Sequence, residues 1–433
     1  MKKYALLIAL IGTTSGLFAQ KKIYAQIDKY ASETEAKMVE WRRHIHANPE
    51  LSNREFKTAE MVAKHLESLG IEVQTGVAHT GVVGVLKGGK PGPVIGLRAD
   101  MDALPVTERV DIPFASKVRA SYNGIESGVM HACGHDTHVA ILMATAEVLS
   151  KMKSSISGTI KFVFQPAEEG APVGEEGGAG LMVKEGVLKN PDVDVMFGLH
   201  ISSALPVGKI GYKPGGTLAA ADRFRIVVTG VQSHGSAPWA GIDPIVTSAQ
   251  IITGLQTIIS RQSELTNEAA VISVGLIRGG IRNNIIPESV EMIGTIRTLD
   301  VEMQKSIHEK IRTTAELIAE SQGAKADVEI TVGVPVTYND PNLTSKMASS
   351  LERAAGKENV ILQKAITGAE DFSFYAQEVP SLFFRIGGLP ASHKEGDYIP
   401  SHHTPDFYID DSGLITGLKA MLNLTFDYMN ANK

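Results

Sequence analysis

A chain of 433 residues, 43% of them hydrophobic, is long enough to bury two separate cores. Its 42 basic and 48 acidic residues leave a formal net charge of −6, which excludes a broad basic surface for nucleic acid. Cys133 is the only cysteine, which excludes a disulfide within the chain. The expected partner is therefore a small molecule.

The first twenty residues, MKKYALLIALIGTTSGLFAQ, have the pattern of a secretory signal peptide. Two lysines precede an apolar run, and small residues follow it before Gln20. The run is short and is interrupted by GTTSG, which argues against a membrane anchor helix. We therefore expect residues 1–20 to be cleaved and the mature protein to be exported, periplasmic or secreted, with no membrane anchor after processing.

Two helices are predicted next. The first should span residues 22–47 and end before Pro49. At the start of the second, Ser52 and Glu55 have the spacing of a capping box, in which each side chain satisfies a backbone N–H of the first turn. Gly70 provides a C-terminal stop for this helix.

Short apolar runs then alternate with turns and with one further helix. The runs VVGVLKG, PVIGLR, IKFVFQP and VDVMFGL predict strands, and a helix is predicted from about His135 to Lys151. Strands that alternate with helices predict an α/β fold with a mostly parallel sheet. We assign residues 21–213 to the first part of this larger, catalytic domain.

The pattern changes in residues 214–336. Segments there follow in the order β-α-β-β-α-β, which is typical of a ferredoxin-like α+β unit. The α/β pattern then resumes, so residues 337–433 form the second part of the catalytic domain. The sequence thus predicts two domains, a larger α/β domain and a smaller one inserted into it.

Three predicted strands of the larger domain end in polar residues. One runs into Asp100 and Asp102, the next into Glu168 and Glu169, and a third into His200. A solvated carboxylate pair or a lone structural histidine would explain any one of these clusters. In open α/β sheets, however, ligands bind beyond the carboxyl ends of the strands, so three such clusters predict one site.

Cys133 lies in the stretch GVMHACGHDTH, among three histidines. It could be a buried packing residue, a catalytic nucleophile or a metal ligand. Acidic neighbours would raise the pKa of the thiol and oppose a nucleophile, whereas thiolate, imidazole and carboxylate together suit a metal. We favour the metal ligand, with zinc first and manganese, cobalt or nickel as alternatives.

The number of candidate ligands exceeds the three or four that one zinc ion takes, which predicts two divalent ions per subunit. Of the adjacent carboxylates, one would bind metal and the other would transfer protons. Neighbours in a regular strand face opposite sides, so Glu168 and Glu169 must lie beyond the strand end. Pro166 and Gly170 are consistent with such a turn.

These motifs resemble a known family. RADMDALPV, MHACGHDTH, FQPAEEG and FGLH, in this order, resemble the two-metal aminoacylase and carboxypeptidase superfamily. They are most similar to its amidohydrolase branch, which includes hippurate hydrolase, bacterial N-acyl-amino-acid amidohydrolases and plant hydrolases of indole-acetyl-amino-acid conjugates. VQSHGSAPWAGIDPI, RGGIRNNIIPESVEMIGTIRTL, GAEDFSFYA and HTPDF extend the resemblance from about Trp41 to Leu422.

The resemblance implies a role for each matching residue. Glu168 would be the general base and acid, and Asp102 would orient a ligand or the base. His403 is preferred to His402 because the family motif places its histidine directly before Ser/Thr-Pro. The implied metal ligands are Cys133, His135, Glu169, His200 and His403.

The resemblance also implies that the inserted domain is a lid and a surface for a homodimer or homotetramer. His234 would stabilise the oxyanion, in some relatives from the partner subunit, and Asn284 and Arg297 would bind the substrate carboxylate. Without the resemblance, Arg297 could equally pair with a surface acid and Asn284 could be a turn residue. His308 is predicted to face solvent, and His138 to support His135 by hydrogen bonding.

The resulting prediction is an exported amidohydrolase that cleaves N-acyl amino acids or related conjugates. Metal-bound hydroxide would attack the amide, with Glu168 as the general base. A dipeptidase or carboxypeptidase with the same two metals is the alternative within enzymes. A thiol-nucleophile hydrolase and a non-catalytic metal-dependent binding protein are the alternatives from other classes.

Overall fold

The computed structural model describes the backbone of residues 2–432 and the side chains of residues 20–432. The predicted signal peptide, residues 1–20, therefore lies outside the described side chains except at Gln20. No helix in the described part of the chain is long and apolar enough to cross a membrane. The α-helices in residues 2–432 are α1 (Lys2–Ala47), α2 (Phe56–Ser68), α3 (His135–Lys151), α4 (Gly178–Lys184), α5 (Pro244–Gln262), α6 (Val301–Ser321), α7 (Pro341–Ala355), α8 (Ser373–Glu378) and α9 (Leu414–Ala431).

The strands are numbered in chain order over the same residues. They are β1 (Glu72–Val77), β2 (Gly81–Lys87), β3 (Lys90–Asp100), β4 (Arg119–Tyr122), β5 (Ile125–Gly128), β6 (Ser157–Gln165), β7 (Val195–Pro206), β8 (Ile210–Tyr212), β9 (Gly215–Leu218), β10 (Ala220–Thr229), β11 (Ser233–His234), β12 (Ala270–Gly279), β13 (Ile285–Ile286), β14 (Ser289–Thr298), β15 (Lys325–Val334), β16 (Thr337–Asn339), β17 (Val360–Leu362) and β18 (Ser381–Leu389). The chain divides into two compact units. The smaller unit comprises Gly215–Tyr338 and Lys364–Phe374, and the larger unit comprises the rest.

The larger unit is built on an eight-stranded sheet in the order β1-β2-β6-β3-β7-β18-β8-β17. Its central strands β6, β3, β7 and β18 are parallel, whereas β1 and β2 are antiparallel additions. The central strands are nearly continuous apolar runs, as expected for strands covered on both faces. Helix α3 is mostly apolar and is buried on all sides from His135 to Leu149, which places it in the core of this unit. The predicted α/β fold with a mostly parallel sheet is confirmed.

The smaller unit contains a four-stranded antiparallel sheet in the order β12-β14-β10-β15. Helices α5 and α6 bury their apolar stripes, which include Ile251 and Ile307, against the alternating apolar residues of these strands. Each helix begins at an aspartate, Asp243 or Asp300, whose carboxylate accepts backbone N–H bonds of the first turn. This element order and sheet order confirm the predicted ferredoxin-like unit.

Two predicted element boundaries are wrong. The helix predicted at the capping box begins after it, at Phe56, and its first turn is capped by Glu50, which accepts from the backbone N–H of Lys57 and Thr58. The third strand does not end at His200, because β7 continues to Pro206 along β18. The helix end at Gly70, with a φ of +71°, is as predicted.

The prediction that His308 faces solvent is also wrong. Its side chain is 16% exposed, and its Nε2 lies 2.8 Å from Oδ2 of Asp222. The same carboxylate accepts from Gln304 and from the backbone N–H of Gly333. His308 is therefore part of a buried polar group that joins α6 to β10 and β15.

Candidate metal centre

The predicted polar clusters meet at one edge of the larger sheet. β3 ends at Asp100, which is the register partner of Gln165 at the end of β6. On the other side of β3, Arg98 pairs with Gly198 of β7, so His200 lies level with Asp100. This is the sheet edge at which open α/β folds bind ligands.

Cys133 and His135 reach this edge from the start of α3. Gly134 between them has a φ of +99°, a conformation that side chains disfavour. A Cβ at this position would also lie 2.4 Å from Cγ2 of Ile201. Glycine therefore lets the chain turn sharply enough for both Cys133 and His135 to contribute to one site.

The predicted ligands form overlapping groups of donor atoms, and the atoms of each group lie within 4.8 Å of one another. Three of these groups are Cys133–Glu169–His403, His135–Glu168–Glu169 and Cys133–His200–His402. Among these three, Glu169 and Cys133 each belong to two groups. Shared members suit two neighbouring ions better than one.

Hydrogen bonds set the orientation of two of the histidines. Nδ1 of His135 lies 2.9 Å from the backbone oxygen of Asp102, and Nδ1 of His200 lies 2.5 Å from that of Ile201. A carbonyl oxygen only accepts, so each Nδ1 carries a proton and Nε2 is the nitrogen that can bind a metal ion. In both residues this Nε2 faces the cluster, as required of a metal ligand.

His138 is close to the cluster but has no free nitrogen. Its Nδ1 lies 2.6 Å from Oδ1 of Asp100, and its Nε2 accepts from the backbone N–H of Ile201 at 2.8 Å. These contacts support the strand that carries His200, so the predicted hydrogen bond from His138 to His135 is wrong. Asp100 is itself paired with Arg98 at 2.6 Å, which leaves it a structural role.

Both adjacent histidines near the C-terminal end of the chain approach Cys133. Nε2 of His402 accepts from the backbone N–H of Ser203 at 3.2 Å, and its Nδ1 lies 3.1 Å from the backbone oxygen of Cys133. Both nitrogens of His402 therefore have protein partners. His403 presents Nε2 to Oε1 of Glu169 at 3.0 Å, and its backbone φ of +64° is strained. This geometry favours His403 as the ligand, as predicted from the motif.

The carboxylate pair lies beyond β6, as predicted, in a turn that Asp102 holds. The carboxylate of Asp102 accepts from the backbone N–H of Glu168 at 3.1 Å and of Glu169 at 3.0 Å. Ser52 donates to the same carboxylate at 2.7 Å. Ala167 adopts a φ of +52°, so a strained residue redirects the chain just before the pair.

The electrostatics of the site call for cations. Burial, with the nearby Glu169, Glu168 and Asp100, raises the pKa of the Cys133 thiol well above its ordinary value. Such a thiol is a poor nucleophile, whereas a bound cation would stabilise its thiolate. Burial alone would lower the pKa of His135, but Asp100 and the neighbouring carboxylates raise it to about 10.

The residues fit two divalent ions. Two buried ligand atoms, Nε2 of His135 and Oε1 of Glu169, have no hydrogen-bond partner among the described residues. Oε1 of Glu169 is near His403, but the contact is poorly aligned for a hydrogen bond. A cation would satisfy both atoms and offset the buried carboxylates. Sulfur, nitrogen and oxygen donors together suit zinc and its neighbours in the first transition row.

The three residues predicted to act as part of the lid, His234, Asn284 and Arg297, lie in two different places in the smaller unit. His234 and Asn284 are neighbours, because β11 pairs with β13 and the backbone N–H of Gly235 donates to the oxygen of Asn284 at 2.9 Å. Arg297 lies on β14, eight residues beyond Ser289, which is about 27 Å in an extended strand. Arg297 therefore lies at the opposite end of β14 from Ile285 and Ile286, the residues that pair with His234 and Ser233.

Several residues around the site were not predicted. Arg98 donates to Gln165 at 2.8 Å, and Tyr375 donates to the same Gln165 oxygen at 3.1 Å, which braces the ends of β3 and β6. Glu55 contacts the turn that carries the carboxylate pair, and Ser52 contacts Asp102, which holds that turn. The contact of Arg98 with Gln165 could have been predicted from the arginine at the end of the apolar run PVIGLR, because a buried arginine requires a partner.

The chain is similar to known proteins both in sequence and in structure. The sequence profile of Peptidase family M20/M25/M40 matches residues 96–426. A thermostable carboxypeptidase of Saccharolobus solfataricus is 42% identical over 400 residues, which cover 92% of this chain and 97% of that protein. An IAA-amino acid hydrolase of Arabidopsis thaliana is 34% identical, over 90% of this chain and 85% of that protein. A dinuclear metal-binding M20 peptidase of Bacillus subtilis has a similar structure, with a TM-score of 0.76, 34% identity, and coverage of 92% of this chain and 99% of that chain.

Proposed function

Because the chain belongs to peptidase family M20/M25/M40 and is a metal-dependent amide hydrolase, we propose that it cleaves the amide bond of N-acyl amino acids or related conjugates. The observation that carries this proposal is the adjacent pair Glu168 and Glu169, held beside His135 by Asp102. One carboxylate can thereby bind a metal ion while the other transfers the proton.

Two divalent ions, held by Cys133, His135, Glu169, His200 and His403, would act as Lewis acids on water and on the amide carbonyl. Glu168 then takes a proton from the attacking water and delivers it to the leaving nitrogen. Asp102 fixes the position of Glu168 through the backbone. His234 donates to the developing oxyanion, which lowers the barrier because the donor is already oriented. Its Nδ1 accepts from the backbone N–H of Ser236 at 3.0 Å, so Nε2 carries the proton that it donates.

Zinc is the ion we propose, on the basis of the donor set. A thiolate and three imidazoles with one carboxylate match its preferences, and manganese, cobalt and nickel can occupy similar sites. Cleavage of peptides is the second candidate function. It is supported by the 42% identity to a thermostable carboxypeptidase, which exceeds the identity to the plant hydrolase.

We also propose that the functional form is a dimer through the smaller unit. Support comes from the length of β14, about 27 Å from Ser289 to Arg297, because the residues that pair with His234 lie near the Ser289 end of this strand. A second copy could supply His234 and Asn284 to a site that uses its own Arg297. Residues 1–20 support export, and N-terminal sequencing of the mature protein tests it.

A substrate panel with controlled metal content tests the proposed activity. The protein is treated with EDTA or phenanthroline, reloaded with zinc or manganese, and assayed on N-acyl amino acids and dipeptides. We expect activity to be lost on chelation, to return on reloading, and to be highest on N-acyl amino acids. Activity that survives chelation but is lost with iodoacetamide would indicate a thiol nucleophile and contradict the proposal.

A further inference from the structure

Four consecutive residues, 52–55, make contact with the turn that carries the carboxylate pair or with the residues that hold it. Ser52 donates to Asp102. Asn53 donates to the backbone oxygen of Glu176 at 3.0 Å, and Arg54 pairs with Glu175 at 2.6 Å, so both hold the loop after the pair. Together with Glu55, this segment, which we call the 52–55 clasp, contacts residues on both sides of the pair.

Glu55 makes the most direct contact. Its side chain is fully buried, and Oε1 accepts from the backbone N–H of Ala167 at 2.9 Å and of Asn53 at 3.0 Å. Its other oxygen accepts from the hydroxyl of Thr80 at 2.5 Å. Asn53 has a φ of +59°, so the clasp is itself held in an unusual backbone conformation.

The contact falls at the point where the turn is most strained. β6 ends at Gln165, Pro166 follows, and Ala167 has a φ of +52°. A buried N–H at such a residue needs an acceptor, because the strand that would have supplied one has ended. Glu55 is that acceptor for Ala167, and Asp102 accepts the next two N–H groups along the chain.

We propose that Glu55 is a positioning residue for amide hydrolysis: by accepting the Ala167 N–H, it holds the strained turn that aims Glu168 and Glu169 at the metal centre. This inference rests on the proposed function, since it assigns Glu55 a role through the carboxylate pair. Glu55 touches neither the ligand atoms nor the substrate. It acts through the backbone, one residue before the proposed general base.

The test compares E55A, E55Q and E55D with a control at the same helix start. E55A removes the acceptor, E55D shortens its reach, and E55Q keeps an oxygen that can accept from Ala167. Residues around metal ligands typically contribute about 10–100-fold to activity or metal affinity. We expect kcat to fall by about that factor in E55A and E55D, with KM little changed, and to recover in E55Q.

Glu50 provides the matched control, because it caps the same helix α2 but contacts Lys57 and Thr58 and no residue of the turn. E50A should lower the melting temperature and leave kcat per folded molecule unchanged. Hydrogen exchange measured on the Ala167 amide gives a readout that needs no substrate. This amide should exchange faster in E55A and E55D, and be protected in wild type and E55Q.

Each outcome decides the inference. The inference is overturned if E55A or E55D has the wild-type kcat, the wild-type metal content and an Ala167 amide as protected from exchange as in wild type. It is also overturned if E50A loses as much kcat as E55A. If E55A does not fold, E55D and E55Q decide. A wild-type protein that cleaves no amide would refute the proposed function instead, while the exchange of the Ala167 amide and the metal content still test the position of the turn.

Discussion

The imidazole nitrogens distinguish the two adjacent histidines, His402 and His403. Both nitrogens of His402 have backbone partners, whereas Nε2 of His403 faces Glu169. We therefore expect H403Q to lose bound metal and most turnover. H402Q should keep its metal and lose about tenfold or less in activity, because it removes packing and two hydrogen bonds but no ligand. Metal analysis of both purified variants checks this, and metal loss in H402Q alone would reverse the assignment.

The raised pKa of Glu55 also predicts that the stability of the fold depends on pH. Burial and the nearby Asp102 raise the pKa of Glu55 from its ordinary value of 4.5 to about 8. Between these values the folded chain keeps a proton that the unfolded chain releases, so the free energy of unfolding falls as pH rises from about 4.5 to about 8.

Substitution of Glu55 by glutamine removes the titrating group. E55Q should therefore flatten this part of the stability profile. Denaturant unfolding of metal-free wild type and E55Q, at about pH 5 and about pH 8, measures the difference. The same loss of stability in both proteins would mean that another group is responsible.

The residues named from sequence and those missed differ in a physical way. Cys133, His135 and Glu168 could be predicted because reactive side chains stand in recognisable local motifs. The capping-box spacing of Ser52 and Glu55 was misinterpreted because a spacing rule sees only the local chain. Their partners lie 50 and 112 residues away, at Asp102 and Ala167.

The start of helix α3 is the element on which the centre depends most. Gly134 combines a φ of +99° with a position at which a Cβ would meet Ile201 at 2.4 Å. G134A should therefore lose about 1–3 kcal/mol of stability from backbone strain alone, more from the clash, and bind less metal. Thermal unfolding and metal analysis measure both effects. A stable G134A with normal metal content would contradict this account of the turn.

Helix and strand bounds were predicted most accurately where neighbouring residues in the sequence determine the secondary structure. The predicted bounds of α3 match the structure because an apolar segment with a glycine before it leaves few alternatives. The end of β7 was wrong because His200 interrupts the apolar run while pairing with β18 continues. That pairing partner is nearly two hundred residues further along the chain, so no local pattern reveals it.

The family resemblance carried by the motifs is confirmed, and so is the two-part fold with a parallel α/β sheet and a ferredoxin-like unit. Export, the dimer and the ion remain proposals. Reactive residues are easier to predict from the sequence than the arrangement of subunits. Subunit assembly depends on surface residues that show no periodic pattern in the sequence.

The proposed dimer predicts complementation between two inactive variants. H234A and R297A should each be nearly inactive. Mixed subunits should recover up to about a quarter of wild-type activity, because half of randomly formed dimers are mixed and have one intact site of two. Kinetic assays after denaturation and joint refolding measure this. A mixture as inactive as its components would place His234 and Arg297 in the same site of one chain.

The division of labour between Glu168 and Glu169 is the central claim, and one paired measurement tests it most directly. Metal content by elemental analysis and kcat are determined for E168Q and E169Q after identical metal loading. E168Q should keep the wild-type metal content and lose about 10²–10⁴ in kcat, as expected for removal of a general base. E169Q should lose metal, with activity lost as a consequence. Equal metal content in the two variants, or an active E168Q, would contradict the account.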